Sequence, residues 1–245
     1  MIAAQHSVHT QGRVAAFFDL DGTLCAAPSI ETRFVRFLIR SNTIGIGAGI
    51  RWLAHFARGV LSGSADPLEA NKTDLAGIPV SVVEEWADSL DSEPLEFFNE
   101  GMLALKEHHA AGHPIFIISG TLAPLAQVVA SQLPVAVGIA ATELEIRFRA
   151  REAGTPPQAV WTGRISGEHM TGGAKVRAME RLALQCGLDL ARSYAYGDRP
   201  SDIPMLERVG HAVAVNPSSA FARGAKNQHR TRELTQKSWN VLEAR

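Results

Sequence analysis

Short runs of apolar residues alternate along the chain with segments whose apolar positions recur at helical spacing. The first run, Val14–Phe18, is continuously apolar and leads straight into Asp19, as expected of a strand buried on both faces of a parallel sheet. Four later runs of similar character follow at Pro114–Ile118, Ala136–Ala141, Ser193–Asp198 and His211–Asn216. Strands that alternate with helices are joined by right-handed crossovers and form parallel sheets covered on both faces. The pattern therefore predicts an α/β fold with a Rossmann-like parallel sheet of about five strands.

The stretch between the first two predicted strands carries helical patterns only. Its last helix is predicted from an apolar stripe formed by Val82, Val83, Trp86 and Leu90. Because the stretch leaves the sheet beside Asp19 and has to return to it, we expect an all-helical cap over that edge. The predicted division is a core of residues 1–24 and 94–245 and a helical cap of residues 25–93. Within the core, the alternation over Glu143–Ile165 predicts an antiparallel hairpin.

Composition and charge exclude several classes of protein. Hydrophobic residues make up 46% and charged residues 20% of the 245-residue chain, which is typical of a globular protein. A formal net charge of -1 gives no general attraction to nucleic acids or anionic membranes. No uncharged stretch is long enough for a membrane helix, and Met1–Gly12 lacks the apolar run of a signal peptide. Since Cys25 and Cys186 form neither a disulfide scaffold nor a metal-binding pair, we expect a cytoplasmic protein with no nucleic-acid partner and no integral membrane segment.

Four short polar motifs lie at the ends of predicted strands or at the start of a helix. In chain order they are Asp19-x-Asp21, Ser119-Gly120-Thr121, Lys175 and Gly197-Asp198-x-x-x-Asp202. The carboxyl ends of parallel strands meet at one edge of a sheet, where open α/β folds bind their ligands. Each motif alone has a simpler explanation, such as a turn, a helix cap or a solvated lysine. Their joint occurrence in this order favours a single site.

The residue types in these motifs suit phosphoryl chemistry. A phosphate ester dianion repels a carboxylate, so a site that brings the two together has to neutralise negative charge. Mg²⁺ prefers oxygen ligands and keeps several waters, so Asp19 and Asp198 are sufficient to bind it. Lys175 adds a positive charge, and the Ser119 hydroxyl with the backbone N–H groups after it can donate to phosphoryl oxygens. The motifs therefore predict Mg²⁺ as the cofactor and a small phosphate ester as the substrate.

The stretch from Phe18 to Leu24, Phe-Asp-Leu-Asp-Gly-Thr-Leu, resembles the first motif of the haloacid dehalogenase superfamily. With its helical insert, the chain is similar to the phosphoserine-phosphatase-like branch, subfamily IB, which has a C1-type cap. The resemblance implies hydrolysis of a phosphate monoester through an aspartyl-phosphate. It implies that Asp19 is the nucleophile, that Asp21 is the general acid and base, and that Lys175 holds the phosphoryl group. By the same resemblance the substrate-binding residues are Ser119, Gly120 and Thr121. The implied metal site consists of Asp19, Asp21 through its carbonyl, Asp198 and Asp202, with Asp202 either a ligand or a residue that orients the ligands.

One departure from this branch concerns the substrate. Phosphoserine phosphatases as a family place a glutamate soon after the first motif to receive the substrate ammonium. Here that stretch is Cys25–Ile30, and Glu31 comes only later, which argues against phosphoserine unless Glu31 takes over that role. Two other activities stay open, a phosphotransferase or mutase in which a hydroxyl replaces water, and a non-catalytic module that binds a phospho-ligand. The sequence predicts no oligomeric state.

The cap is rich in arginine at its start. The residues concerned are Arg33, Arg36, Arg40, Arg51 and Arg58. The simpler interpretation is a solvated basic face on two amphipathic helices. The alternative is a face that attracts an anionic or lipid-linked phosphate.

Overall fold

A computed structural model describes residues 12–45, 69–217, 220–221 and 240–242. The strands are β1 (Ala16–Phe18), β2 (Ile115–Leu122), β3 (Gly138–Thr142), β4 (Leu144–Arg149), β5 (Gln158–Ile165), β6 (Tyr194–Gly197), β7 (His211–Val215) and β8 (Asn240–Leu242). The α-helices of the described residues are α1 (Ile30–Arg40), α2 (Val82–Ser89), α3 (Asn99–Ala110), α4 (Ala123–Ser131), α5 (Gly173–Cys186) and α6 (Ile203–Glu207). Three short 3-10 helices cover Glu69–Leu75, Leu190–Arg192 and Pro200–Asp202. None of the helices in the described ranges is long and apolar enough to cross a membrane.

The main sheet contains six parallel strands in the order β3-β2-β1-β6-β7-β8. The predicted α/β class and the five predicted core strands are confirmed, with β1 at the centre. The sequence pattern missed β8 because this edge strand has only three residues and lies in a polar tail. Strand β2 runs on to Leu122, beyond its predicted end, with a register shift between Ser119 and Leu122. The irregular end of β2 therefore carries one of the predicted motifs.

Apolar residues cover both faces of the sheet, as the continuous run in β1 predicts. Phe17 stacks on Phe116 on one face, with ring centroids 5.5 Å apart. Phe18 stacks on Tyr196 on the opposite face at 4.2 Å. Successive side chains of a strand point to opposite faces, so a strand buried on both sides needs apolar residues at every position. Burial of β1 on both faces fixes the place where Asp19 leaves the sheet.

The predicted hairpin is formed by β4 and β5, and it packs against the insert. The Gly77 N–H donates to the carbonyl of Trp161 at 2.8 Å, and the Trp161 N–H donates to the carbonyl of Ile78 at 3.0 Å. The indole of Trp161 is buried edge-on against Phe34 of α1, with ring centroids 6.1 Å apart. The insert thus contributes an extended backbone segment as well as helices, which its sequence pattern does not predict. The division into core and cap stays a prediction.

The insert contains helices α1 and α2. Helix α1 begins after Ser29, whose Oγ accepts the Thr32 N–H at 3.3 Å, and α2 carries the predicted apolar stripe. The predicted second helix of the cap, with Arg51 and Arg58, lies outside the described residues. Glu31 of α1 and Lys72 of the first 3-10 helix form an ion pair in the interior, where Lys72 is only 1% exposed. Because a buried charge needs a partner, this pair ties the two segments together.

A buried histidine packs against the face of the sheet that carries Phe18 and Tyr196. His108 of α3 hydrogen-bonds through Nε2 with the Tyr196 hydroxyl at 2.8 Å and through Nδ1 with Nδ1 of His113 at 2.8 Å. Its ring also contacts Phe18 and Tyr194. Burial lowers the pKa of His108 to about 4. The imidazole is therefore neutral in the folded protein at pH 7, whereas its pKa in the unfolded chain is about 6.5.

We expect His108→Gln to weaken the dependence of stability on pH. As the pH falls, the unfolded chain takes up the proton first, so the stability contributed by neutral His108 is present above about pH 6.5 and is lost towards pH 4. Between pH 7 and pH 5 the parent should lose about 2 kcal/mol more free energy of unfolding than the variant. Urea unfolding at the two pH values measures this difference. His109→Gln, at the exposed neighbouring position, is the control and should behave like the parent. Equal losses for the parent and the His108 variant would contradict the prediction.

Candidate active site

The predicted motifs converge at one edge of the sheet because their strands are parallel. Asp19 follows β1 and Asp198 follows β6, the strand paired with it. Asp202 lies in the 3-10 turn that comes next. One carboxylate oxygen from each of these three residues lies within 4.8 Å of the other two, and all three residues are buried. These carboxylates form the acidic cluster of the site.

Lys175 neutralises part of the acidic cluster. Its Nζ donates to Asp19 Oδ1 and to Asp202 Oδ1, both at 2.6 Å, and the residue is 2% exposed. Burial by itself would lower the pKa of Lys175, but the carboxylates of Asp19 and Asp202 outweigh that effect and hold the pKa above its usual value. The interpretation of Lys175 as an ordinary solvated lysine is therefore wrong.

Negative charge still exceeds positive charge in the acidic cluster. Burial raises the pKa of Asp19 to about 6, although Lys175 opposes the shift. Burial, together with the neighbouring Asp19 carboxylate, raises the pKa of Asp198 to about 8. A divalent cation would stabilise the ionised form of both groups. The oxygen-only donor set of the cluster suits a hard cation such as Mg²⁺.

Asp202 also orders the turn that carries Asp198. Its Oδ2 accepts the backbone N–H groups of Asp198 at 3.1 Å and of Arg199 at 2.9 Å. With Lys175 on Oδ1, both oxygens of Asp202 have partners within the protein. These contacts are those of a residue that orients its neighbours, one of the two roles that the resemblance implied for it.

Asp21 is held by two hydrogen bonds from different parts of the chain. Oδ1 accepts the N–H of Ile30, the first residue of α1, at 2.8 Å, and Oδ2 accepts the Thr121 hydroxyl at 2.7 Å. Burial raises the pKa of Asp21. Thr121, which the resemblance implies as a substrate-binding residue, thus contacts Asp21 in this structure. Its direct contact with a substrate stays a prediction.

Ser119 and Gly120 lie beside Thr121 at the irregular end of β2. Ser119 is buried, and its Oγ accepts the Thr121 N–H at 3.3 Å. The Gly120 carbonyl accepts the Thr142 hydroxyl at 2.7 Å. The same Thr142 Oγ1 accepts the N–H of Met170 at 3.2 Å. These bonds attach the segment before α5, and hence Lys175, to the end of β2.

The backbone at Gly22 is fitted closely to Asp198. Gly22 has a φ of +91°, and a Cβ at this position would lie 2.2 Å from Asp198 Oδ2. A side chain would therefore both strain the backbone and displace a carboxylate of the acidic cluster. Glycine at this position allows the turn after Asp21 to pass directly over Asp198.

Sequence reasoning missed several residues around a cavity of about 220 Å³ next to Asp21 and Asp198. Arg199 lines this catalytic cavity, and its Nε lies 3.5 Å from Asp198 Oδ2. Asn216, directly after β7, also lines it. Both follow strand ends at the same edge of the sheet, which was a signal available in the sequence. Four further lining residues, Ala26, Ala27, Ser29 and Phe98, had no such signal because none of them directly follows a strand of the sheet.

Several known proteins are similar to this chain in sequence or in fold. The family model described as "haloacid dehalogenase-like hydrolase" matches residues 16–207. The "Inhibition of morphological differentiation protein" of Streptomyces azureus is 32% identical over 226 residues, covering 89% of this chain and 76% of that protein. "Phosphoserine phosphatase SerB1" of Mycobacterium tuberculosis is 30% identical over 227 residues, covering 87% and 68%. The solved structure "Phospho-Aspartyl Intermediate Analogue of Phosphoserine phosphatase" has a TM-score of 0.62 at 19% identity, covering 87% of this chain and 91% of that one, which shows a common fold.

The family match includes every residue of the acidic cluster. It begins at the first residue of β1 and ends at the last residue of α6, so Asp19, Lys175, Asp198 and Asp202 all lie within it. It covers well over half of the chain. The chain therefore belongs to the haloacid dehalogenase-like hydrolase family and is a phosphoserine-phosphatase-like member of it.

Proposed function

We propose that this hydrolase is a Mg²⁺-dependent, cytoplasmic phosphatase that cleaves a small organic phosphate monoester through an aspartyl-phosphate on Asp19. Its relatives include proteins named phosphoserine phosphatase and "Probable phosphatase", which supports a phosphatase. One observation carries the mechanism. Asp19, paired with buried Lys175, lies two residues from Asp21, whose carboxyl has a raised pKa. A nucleophile and a separate proton donor are the two groups that covalent hydrolysis of an ester needs.

The first chemical step forms the covalent intermediate. Lys175 binds Oδ1 of Asp19, so we assign Oδ2 as the oxygen that attacks phosphorus. As the bond between Oδ2 and phosphorus forms, the bond from phosphorus to the ester oxygen breaks. Asp21 gives its proton to the leaving alkoxide, and the raised pKa of its carboxyl favours the protonated form needed for this step. The free alcohol then leaves the site.

The second step regenerates the enzyme. Asp21, now ionised, removes a proton from water, which attacks the phosphorus of the phosphoaspartate. The bond from phosphorus to Asp19 breaks, inorganic phosphate leaves, and both aspartates return to their initial states. The hydrogen bonds from Ile30 and Thr121 keep the Asp21 carboxyl in place through both proton transfers. Buried Lys175 stabilises the negative charge that develops on the transferred group.

Mg²⁺ would be held by Asp19 and Asp198, with Asp202 orienting the turn and Asp21 adding its carbonyl. When bound, it supplies positive charge that allows a phosphate dianion to approach a carboxylate.

We expect EDTA to lower the rate of phosphate release at least about 100-fold and Mg²⁺ to restore it. Excess Ca²⁺ should inhibit, because Ca²⁺ takes more ligands at longer distances. Phosphate release at fixed ester concentration measures the effect. Circular dichroism of the EDTA-treated protein controls for unfolding, and full activity of a folded, metal-free sample would exclude the metal.

A screen of phosphate esters in Mg²⁺ tests the proposed reaction. We expect release of inorganic phosphate from at least one small ester. Repeating the assay with added alcohols separates hydrolysis from transfer, since a phosphotransferase or mutase would phosphorylate the acceptor. Tight binding of esters with neither release nor transfer would instead indicate a non-catalytic module.

The residues around the catalytic cavity argue against phosphoserine as the substrate. Glu31, the first acidic residue of the insert, forms an ion pair with Lys72 in the interior. Its carboxylate is therefore not free to bind the ammonium group of a substrate. The described residues that the insert contributes to the cavity are Ala26, Ala27 and Ser29, none of which bears a charge. Phe98 adds an aromatic ring to the same cavity. This lining suits an ester whose alcohol part is less polar than serine.

A further inference from the structure

A groove of about 400 Å³ lies on the insert, between α1 and the end of α2. Its polar wall is formed by Arg33, Arg36 and Arg40, and its apolar wall by Phe37, Trp86 and Leu90. The arginines follow one another at i, i+3 and i+7 along α1, whereas Trp86 and Leu90 come from α2 and its end. The volume is within the range of small-molecule pockets. This arginine groove is concave, unlike the convex solvated face that helical spacing alone would produce.

The arginine groove carries an excess of positive charge. Arg40 forms an ion pair with Glu93, which is the one acidic residue that the described part of the chain contributes to the lining. Arg33 donates from Nε to the neutral Pro28 carbonyl at 3.1 Å, and with Arg40 it helps to lower the pKa of the same Glu93 carboxyl. Arg36 is exposed and makes no hydrogen bond or ion pair within the part of the chain that the structure describes. Among the described lining residues, three guanidinium groups against one carboxylate leave two positive charges.

The charged and the apolar lining residues together indicate the kind of ligand that the groove can bind. Guanidinium groups bind phosphate, sulfonate or carboxylate through paired N–H groups in a planar fork. Half-buried Phe37 adds an aromatic ring beside these arginines on α1, and Trp86 and Leu90 line the groove from α2 and its end. A ligand that uses both walls has an apolar or planar body and two negative charges.

Within the residues that the structure describes, the arginine groove and the catalytic cavity share no lining residue. Pro28 lines the groove, whereas its neighbours Ala27 and Ser29 line the cavity, so a thin segment of backbone separates the two. Arg33 also donates from Nη2 to the Ala27 carbonyl at 3.4 Å. We propose that the arginine groove is a second binding site, separate from the catalytic cavity, for a small organic dianion with an apolar body.

Naphthalene-1,5-disulfonate is a suitable probe, because it is a planar dianion and cannot be a phosphatase substrate. We expect saturable binding to the full chain by calorimetry, with quenching of tryptophan emission. Trp86→Phe should lose the quenching, and naphthalene-1-sulfonate, with one charge, should bind at least fivefold more weakly. Arg36→Ala should weaken binding of the disulfonate at least fivefold. Arg181→Ala, at an exposed position on α5, is the matched control and should bind like the parent.

Asp198→Asn separates this proposal from the proposed function. The substitution alters the catalytic cavity and should leave the affinity for the disulfonate unchanged, whether or not the protein is a phosphatase. Three results would overturn the proposal: absence of saturable binding, equal affinity of the Arg36→Ala variant and the parent, or loss of binding in Asp198→Asn. Any of these results would mean that the arginines form only a solvated helix surface.

Discussion

Asp19→Asn should lower the rate of phosphate release by a factor on the order of 10⁴ without unfolding the protein, because it removes the nucleophile and not a packing group. The asparagine oxygen can still accept the hydrogen bond that Lys175 donates to Oδ1. Removal of one carboxylate also relieves repulsion in the acidic cluster, where Asp19 helps to raise the pKa of Asp198. We therefore expect the free energy of unfolding to stay equal or to rise.

Two measurements test this prediction together. Phosphate release with Mg²⁺ reports turnover, and acid-quenched protein incubated with a ³²P-labelled ester reports the phosphoaspartate. The parent should retain label, whereas the Asp19→Asn variant should retain none. Asp88→Asn, the same change at an exposed position of α2, is the matched control. A well-folded Asp19→Asn protein with substantial turnover would exclude Asp19 as the nucleophile.

Lys175→Met should destabilise the fold as well as remove activity. Methionine fills a similar volume but leaves the buried carboxylates of Asp19 and Asp202 without their common partner. Loss of one member of a buried ion pair costs about 3 kcal/mol or more, because the remaining charge stays desolvated. The rate should fall about 10³-fold, since the lysine charge also stabilises the transferred phosphoryl group.

The effect of Lys175→Met should depend on pH in a defined direction. Without the lysine, the pKa of buried Asp19 should lie still further above its unfolded value, since burial already raises it to about 6 in the presence of Lys175. A carboxyl with a raised pKa regains stability as the pH falls, because it takes up its proton first in the folded state. Urea unfolding in EDTA should therefore show a smaller difference from the parent at pH 5 than at pH 7. Lys106→Met, at an exposed position, is the control. A Lys175→Met protein as stable as the parent would contradict the prediction that the buried ion pair stabilises the fold.

The local sequence was sufficient to predict the α/β fold class and five strands of the main sheet. Apolar runs of strand length that alternate with helical periodicity leave few arrangements other than a parallel α/β sheet. Chain continuity places Asp19 directly after β1 and Asp198 directly after β6, and parallel strands bring their carboxyl ends to one edge. The meeting of these two aspartates was therefore predictable from their positions alone. The hairpin was equally local, because alternation on both sides of a turn marks two paired strands.

Contacts between distant segments were decided only by the tertiary structure. Lys175 reaches Asp19 across 156 positions of sequence, and Thr121 reaches Asp21 across 100. Periodicity indicates the face on which a side chain lies, but not which distant segment packs against that face. The same reason explains the pairing of β5 with residues 77–80 and the burial of Trp161 against Phe34. The arginines show the distinction most clearly: their spacing along α1 is a property of the sequence, whereas the concave groove arises because the end of α2 packs opposite them.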